Sequence, residues 1–300
     1  RAYPARDEFP GGTSTKQQEA QRKNAQKLGK KCTTELERWK NIVLIRPDPQ
    51  IMWDNGDLEK IYKDNLHSVY YRSDKGGGHW ENKKNIPDSW IINYKDLKFN
   101  IKQMGFKHTG LFPEQAYNWN YMMNKIKNAN REIKVLNLFA YTGGATIACI
   151  KAGAHVTHVD SSRGMVDWAK ENVKINNLDE TKVRYIVDDV VKFVSREIRR
   201  GNKYDAIVMD PPAYGKGANG ETWVIEKDLY KLLNLCKEIL SDKPLFVLVN
   251  TYSGLSPNLI ESLLRLTFKN GNISSSEIGL PITKNDLILP CGIYGRNDYE

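Results

Sequence analysis

Residues 131–160 read REIKVLNLFAYTGGATIACIKAGAHVTHVD, and this stretch decides the fold class. Ile133–Phe139 is an apolar run of strand length, without the polar alternation of a half-exposed strand. It runs into Gly143-Gly144, after which IACIKAG reads as a helix. His155–Val159 is then a second strand. A strand, a helix and a strand in about 30 residues imply two parallel strands joined by a crossover.

The alternation continues towards the C-terminus. SSRGMVDWAKENVKINN predicts a helix with Ser161 or Ser162 as its N-cap. Val183–Val187 is a third strand, and VVKFVSREIRR is a helix with Val190, Val191, Phe193, Val194 and Ile198 on its apolar side. DAIVMD is a fourth strand ending at Asp210. The helix VIEKDLYKLLNLCKEIL and a strand at Leu245–Thr251 follow. A helix near 257–268 precedes two strands, near 273–278 and 287–294, with no helix between them. That spacing predicts an antiparallel addition at the sheet edge. The expectation for 106–300 is an α/β domain built on a doubly wound, mostly parallel, seven-stranded sheet.

Residues 35–105 differ. LERWKNIVLIRPDPQIMW, HSVYYRS, GGGHW and SWIINYKDLKFNI are rich in aromatic and β-branched residues and broken by Gly and Pro. They predict a small β-rich N-terminal domain with Trp39, Trp53, Trp80 and Trp90 in its core. Residues 1–34 carry few large apolar side chains and read as a flexible basic arm. The formal charge is +9, and eight basic against three acidic residues place +5 of it in the arm. The remaining chain is mildly basic, which gives weak support to an anionic partner such as nucleic acid.

Four cysteines, Cys32, Cys149, Cys236 and Cys291, have neither zinc-ligand nor disulfide-framework spacing, so a reducing, cytoplasmic compartment is expected. No apolar run reaches the roughly 20 residues of a bilayer span. The chain opens on Arg1, which points to a trimmed or partial sequence.

In a doubly wound sheet the ligand lies beyond the carboxyl ends of the strands. The first strand ends in Asn137-Leu138-Phe139-Ala140-Tyr141-Thr142-Gly143-Gly144-Ala145, where small residues admit a ligand to the start of a helix. This is neither a dinucleotide fingerprint nor a phosphate loop. Asp160 ends the second strand, where a carboxylate accepts hydrogen bonds from ribose hydroxyls; capping the next helix is the competing reading. Asp188 and Asp189 end the third, and one of them, Asp189 by preference, would accept from an exocyclic amine. The fourth ends in Asp210-Pro211-Pro212-Ala213-Tyr214-Gly215, the most specific signal in the chain. Two prolines make a stiff turn without donors, Asp210 is an acceptor, and Tyr214 offers a flat face to a planar substrate.

These residues resemble a known family. FKHTGLFPEQ (106–115), VLNLFAYTGGAT (135–146), THVDSSRGMVDWAKEN (157–172), VDDVVKFVSREIRRG (187–201) and VMDPPAYGKG (208–217) are similar to the bacterial S-adenosylmethionine-dependent methyltransferases related to the large-subunit ribosomal RNA methyltransferases. The resemblance covers about 35–295 and implies a Rossmann-like methyltransferase domain. It also implies S-adenosylmethionine as methyl donor with no metal, and RNA as partner. By position it assigns Asn137, Ala140, Tyr141, Thr142, Gly143, Gly144 and Ala145 to the methionine and ribose parts of the donor. Asp160 with Ser161 falls to the ribose, Asp189 or Asp188 to adenine, and Thr109, Phe112 and Gln115 to a segment that closes over the donor. Asp210, Pro211 and Tyr214 are assigned to the methyl acceptor.

One departure bears on chemistry. Relatives that make 5-methylcytosine use a cysteine nucleophile after the fifth strand, and here that stretch reads Asn250-Thr251-Tyr252-Ser253-Gly254. Direct transfer to nitrogen or oxygen is therefore expected. Two other readings stay open: a methyltransferase of a protein or small molecule, and a nicotinamide enzyme or non-catalytic nucleotide binder on the same sheet.

Overall fold

The computed structural model describes residues 34–73, 77–217, 220–283 and 286–299. The predicted arm, apart from Thr34, and Cys32 lie outside the described residues. The contact pattern divides the chain into two compact units. One runs to Ala116 and includes Gly279–Cys291; the other holds Tyr117–Ile278 and the residues from Gly292. The sequence places a boundary after Gly105, where the strand–helix alternation begins. Packing carries the first unit on to Ala116 and adds the hairpin tip Gly279–Cys291 from the C-terminal region.

The first unit has the short strands its composition predicts. β1 (Thr34–Trp39), β2 (Ile42–Pro47), β3 (Ser68–Arg72) and β4 (Gly78–Asn82) form one sheet in that order, with the short helix α1 (Leu58–Ile61) between β2 and β3. β5 (Trp90–Tyr94) and β6 (Leu97–Ile101) form a hairpin in which Trp90 pairs with Ile101. Trp90, Ile92, Tyr94, Leu97, Phe99 and Ile101 are buried at every second position, the period of a strand with one covered face. Of the four tryptophans expected in the core, Trp39 and Trp90 are buried; Trp53 and Trp80 are half-buried.

A buried ionic cluster anchors this unit. The Arg46 guanidinium, 1% exposed, donates to Glu37 from Nε at 2.7 Å and Nη2 at 2.8 Å, and to the Lys107 carbonyl at 2.7 Å. Glu35 lies 3.4 Å away. A lysine keeps the charge but loses the two-pronged geometry. Arg46→Lys is expected to lower stability by about 1–2 kcal/mol, read as a lower urea midpoint.

The second unit begins with α2 (Ala116–Asn128). β7 (Lys134–Leu138), α3 (Gly144–Lys151), β8 (His155–Asp160), α4 (Arg163–Ile175), β9 (Val183–Val187) and α5 (Val190–Arg200) make the first half of the wound domain. β10 (Ala206–Met209), a small hairpin of β11 (Tyr214–Lys216) and β12 (Thr222–Val224), α6 (Ile225–Lys237), β13 (Phe246–Thr251), α7 (Pro257–Thr267), β14 (Asn272–Pro281) and β15 (Ile288–Asp298) make the second. The sheet order is β14-β15-β13-β10-β7-β8-β9. β9, β8, β7, β10 and β13 pair in parallel, and β15 pairs antiparallel with β13. The expected seven-stranded sheet with an antiparallel addition is therefore present. β11 and β12 fall where the sequence predicts no strand; each is three residues long, too short to show a period.

Both faces of the central strands are covered. Leu136, Leu138, Ile207, Met209, Val247 and Val249 pack with Phe193, Val194, Leu229, Leu232 and Leu264 from α5, α6 and α7 in one cluster. Winding starts at β7, runs outwards to β9, and resumes on the other side at β10. The switch point therefore lies between β7 and β10, and the loops after those two strands border the crevice.

Candidate active site

The loop after β7 is held in an unusual backbone conformation. Phe139 and Tyr141 have left-handed φ values of 53° and 51°, and Gly143 has 85°. Such non-glycine residues cost of order 1–3 kcal/mol each, so fixed neighbours must hold them. The Ala140 amide donates to the Val159 carbonyl at 3.0 Å, and the Tyr141 amide to Asp160 Oδ2 at 2.9 Å. The Phe139 ring packs 4.9 Å from the Trp223 ring.

The two glycines are required by packing. A Cβ on Gly143 would stand 3.0 Å from the Ala169 Cβ, and one on Gly144 3.0 Å from Trp119 Cζ2. α3 thus starts tight against α2 and α4, with the first amides of its turn lacking intrahelical acceptors. Gly143→Ala combines left-handed strain with this contact and is expected to lower stability by about 1–3 kcal/mol, measured by thermal denaturation.

Asp160 joins two loops. Oδ2 accepts from Tyr141, and Oδ1 accepts from the Ser162 amide at 2.8 Å. Burial pushes its carboxyl above the ordinary range, and the two amides oppose that shift. Each oxygen keeps a lone pair, so the group can also accept from a pair of adjacent hydroxyls. Ser161 is exposed, while Ser162 is the N-cap of α4 and accepts from the Met165 amide.

At the end of β9 the adjacent acids divide. Asp188 ion-pairs with Arg196 on α5 and accepts from the Asp189 amide at 2.9 Å. Asp189 caps α5 through Oδ1, which accepts from the Lys192 amide at 2.9 Å, and Oδ2 remains an acceptor for a ligand.

Asp210 follows β10. Its Oδ1 accepts from Asn250 Nδ2 at 3.3 Å, and burial raises the carboxyl to about 7. Asn250 sits on β13, 1% exposed. Pro211 is buried. The Pro212 carbonyl accepts from Trp223 Nε1 at 2.7 Å. That bond ties the proline turn to β12. Tyr214, at the start of β11, is 47% exposed.

The crevice ends of the sheet thus bring together Ala140, Tyr141, Gly143, Gly144, Ala145, Asp160, Asp189 and Asp210. Two assigned side chains are engaged in packing. Asn137 is buried and donates to Thr146 Oγ1 at 2.9 Å, and Thr146 meets His158 Nδ1 at 2.9 Å. Thr142 is buried, and its carbonyl accepts from Asn172 at 2.9 Å. Thr109, Phe112 and Gln115 belong to the first unit. The Thr109 hydroxyl is buried without a hydrogen-bond partner, Phe112 lies 5.1 Å from the His108 ring, and Gln115 ends the 3₁₀ turn Pro113–Gln115.

Sequence reasoning missed Asn250, Trp223 and His158. His158 carried a readable signal: it lies on the same face as Asp160, two residues earlier on an apolar strand. Burial lowers it to about 3, so its ring is neutral.

A family model described as S-adenosylmethionine-dependent methyltransferase matches residues 63–265, two thirds of the chain. The chain belongs to the S-adenosylmethionine-dependent methyltransferases. Ribosomal RNA large subunit methyltransferase K/L of Syntrophotalea carbinolica is 28% identical over 222 residues, covering 73% of this chain and 30% of that protein. The protein of the same name in Pseudoalteromonas translucida is 26% identical over 231 residues, covering 76% and 32%. The methyltransferase thus spans about a third of the length of these curated relatives. The crystal structure of an S-adenosylmethionine-dependent methyltransferase from Agrobacterium tumefaciens matches with a TM-score of 0.84 and 33% identity, covering 89% of this chain and 88% of that one. The donor set suits the family's cofactor. Asp160 can accept from ribose hydroxyls, Asp189 Oδ2 from an adenine amine, and the glycine start of α3 leaves amide donors for a carboxylate. No helix among the described residues is long and apolar enough to cross a membrane.

Proposed function

We propose that this methyltransferase modifies a base of RNA, ribosomal RNA in the first instance, by direct transfer to a nitrogen. The observation that carries the reading is the turn from Asp210 to Tyr214. It follows β10, beside the switch point, with a carboxylate raised to about 7 and a half-exposed aromatic ring four residues on. The relatives named as ribosomal RNA methyltransferases support the RNA assignment.

Bound S-adenosylmethionine supplies a methyl group already activated for displacement by its sulfonium. The protein's work is alignment and proton handling. Asp160, Asp189 and the first turn of α3 hold the donor. Asp210 accepts an N–H of the acceptor base, points the nitrogen lone pair at the methyl group, and takes the proton as the new bond forms. A carboxyl near 7 suits that task, since it is partly ionised at neutral pH. Asn250 fixes its orientation through Oδ1. The Tyr214 ring stacks on the base, which leaves its own helix to reach the crevice.

Among the described residues, the thiols disfavour cysteine chemistry. Cys149, Cys236 and Cys291 are all buried. Burial raises Cys149 to about 12 and Cys236 further, away from the thiolate a covalent adduct requires. Tyr252 occupies the position expected for a nucleophile, and a Cβ on Gly292 would fall 2.9 Å from its ring.

The test is mass mapping of methylated nucleotides in ribosomal RNA from cells with and without the gene. One methylated nitrogen base should disappear. An unchanged map would redirect the search to protein and small-molecule acceptors.

A further inference from the structure

A cavity of about 520 Å³ lies within the first unit, lined by the β1–β2 hairpin, the chain that follows it to His67, Lys84, and residues 282 and 283. That volume is in the range of small-molecule sites, about 300–1,000 Å³. It contains none of the residues assigned to donor or acceptor.

The lining combines three kinds of surface. Val43, Ile51 and Leu58 are buried and apolar, and the half-buried rings of Trp53 and Tyr62 stand with them. Hydrogen-bonding edges come next. Asn55 donates to the Thr34 carbonyl at 3.0 Å, which leaves its Oδ1 as an acceptor. His67 Nδ1 accepts from the Val43 amide at 3.1 Å, and the ring also hydrogen-bonds the Asn65 backbone, which fixes it as part of the wall. The third surface is charge. The acids of the lining, Glu35 and Glu37, pair with Arg46, and the exposed cations Arg38 and Lys84 are held at the rim by the Lys40 and Asp64 carbonyls.

An aromatic wall, an acceptor edge at Asn55, and exposed cations match an unstacked nucleotide: a flat base with a polar edge and an anionic phosphate. We propose that this cavity holds one unpaired nucleotide of the RNA substrate, its base against Trp53 and its phosphate towards Arg38 and Lys84. The proposal rests on the RNA reading of the function and adds a second point of attachment that selects single-stranded RNA.

The test uses the full chain, a labelled unstructured oligoribonucleotide followed by fluorescence anisotropy, and calorimetry with adenosine and uridine monophosphates. Base–aromatic stacking predicts that Trp53→Ala weakens oligonucleotide binding about tenfold or more. Asn65→Asp, an exposed change on the cavity lining, should weaken it several-fold by repelling phosphate. Thermal melts accompany both; if Trp53→Ala melts early, Asn65→Asp decides. A parent that binds RNA with both well-folded variants unchanged overturns the cavity assignment and leaves the RNA reading standing. A parent that binds no RNA, even at low salt, overturns both. Mononucleotides bound as tightly as the oligonucleotide would make this a free-nucleotide site and overturn its role in RNA binding.

Discussion

Replacing Asp210 with asparagine is expected to lower methyl transfer by about 10²-fold or more, with binding of S-adenosylhomocysteine within a few-fold of the parent. Asparagine keeps the size and an acceptor oxygen but cannot take the acceptor's proton. The pH dependence distinguishes this role from a structural one. Burial raises the Asp210 carboxyl from 3.8 to about 7, and proton acceptance needs its ionised form. The parent's kcat/KM should therefore rise as pH increases through about 7 and level off above it. The variant should lack that inflection.

Stability should move the other way. Between 3.8 and about 7 the folded chain retains a proton that the unfolded chain has lost. Linkage then makes stability fall as pH rises through that window. Above it the buried charge is fully present, and Asp210→Asn should melt a few degrees higher than the parent. Near pH 4 the two should melt together. A variant with the parent's rate and pH profile would remove Asp210 from the mechanism.

Asp160→Ala is expected to weaken S-adenosylhomocysteine binding about 100-fold or more, since it deletes a charged acceptor for two hydroxyls. It also removes the acceptor of the Tyr141 and Ser162 amides. Tyr141 holds a left-handed conformation that this bond helps to maintain, so the loop after β7 should relax and stability should fall by about 1–2 kcal/mol. Asp160→Asn separates the effects. Its amide oxygen can serve one backbone donor, while its NH₂ must face the other, so binding should still fall with a smaller loss in Tm. Calorimetry and thermal denaturation on the two variants check this. Unchanged binding in Asp160→Ala would refute the ribose assignment.

The architecture of the wound domain was legible because it rests on local pattern. Ile133–Phe139, Val183–Val187 and Leu245–Thr251 are largely apolar runs, and the stretches between them carry helical periodicity with a cap at Ser161 or Ser162. These signals lie within a few residues of each other, and burial of the apolar face then leaves one economical arrangement. The same reasoning located Asp160, Asp189 and Asp210, since strand ends can be counted along the chain.

The partners of those residues could not be counted in that way. Asn250 reaches Asp210 across 40 positions, and Trp223 reaches the Pro212 carbonyl because a short hairpin folds back. Asn137 is assigned to the donor by position alone, and its side chain donates to Thr146 Oγ1, a bond the sequence does not show. Which of two neighbouring acids pairs with Arg196 and which caps a helix depends on side-chain direction at the end of β9. The sheet's hydrophobic pattern states which face each residue takes. The environment that raises Asp210 to about 7 arises only when β10, β13 and the proline turn close around one carboxylate and withdraw it from water.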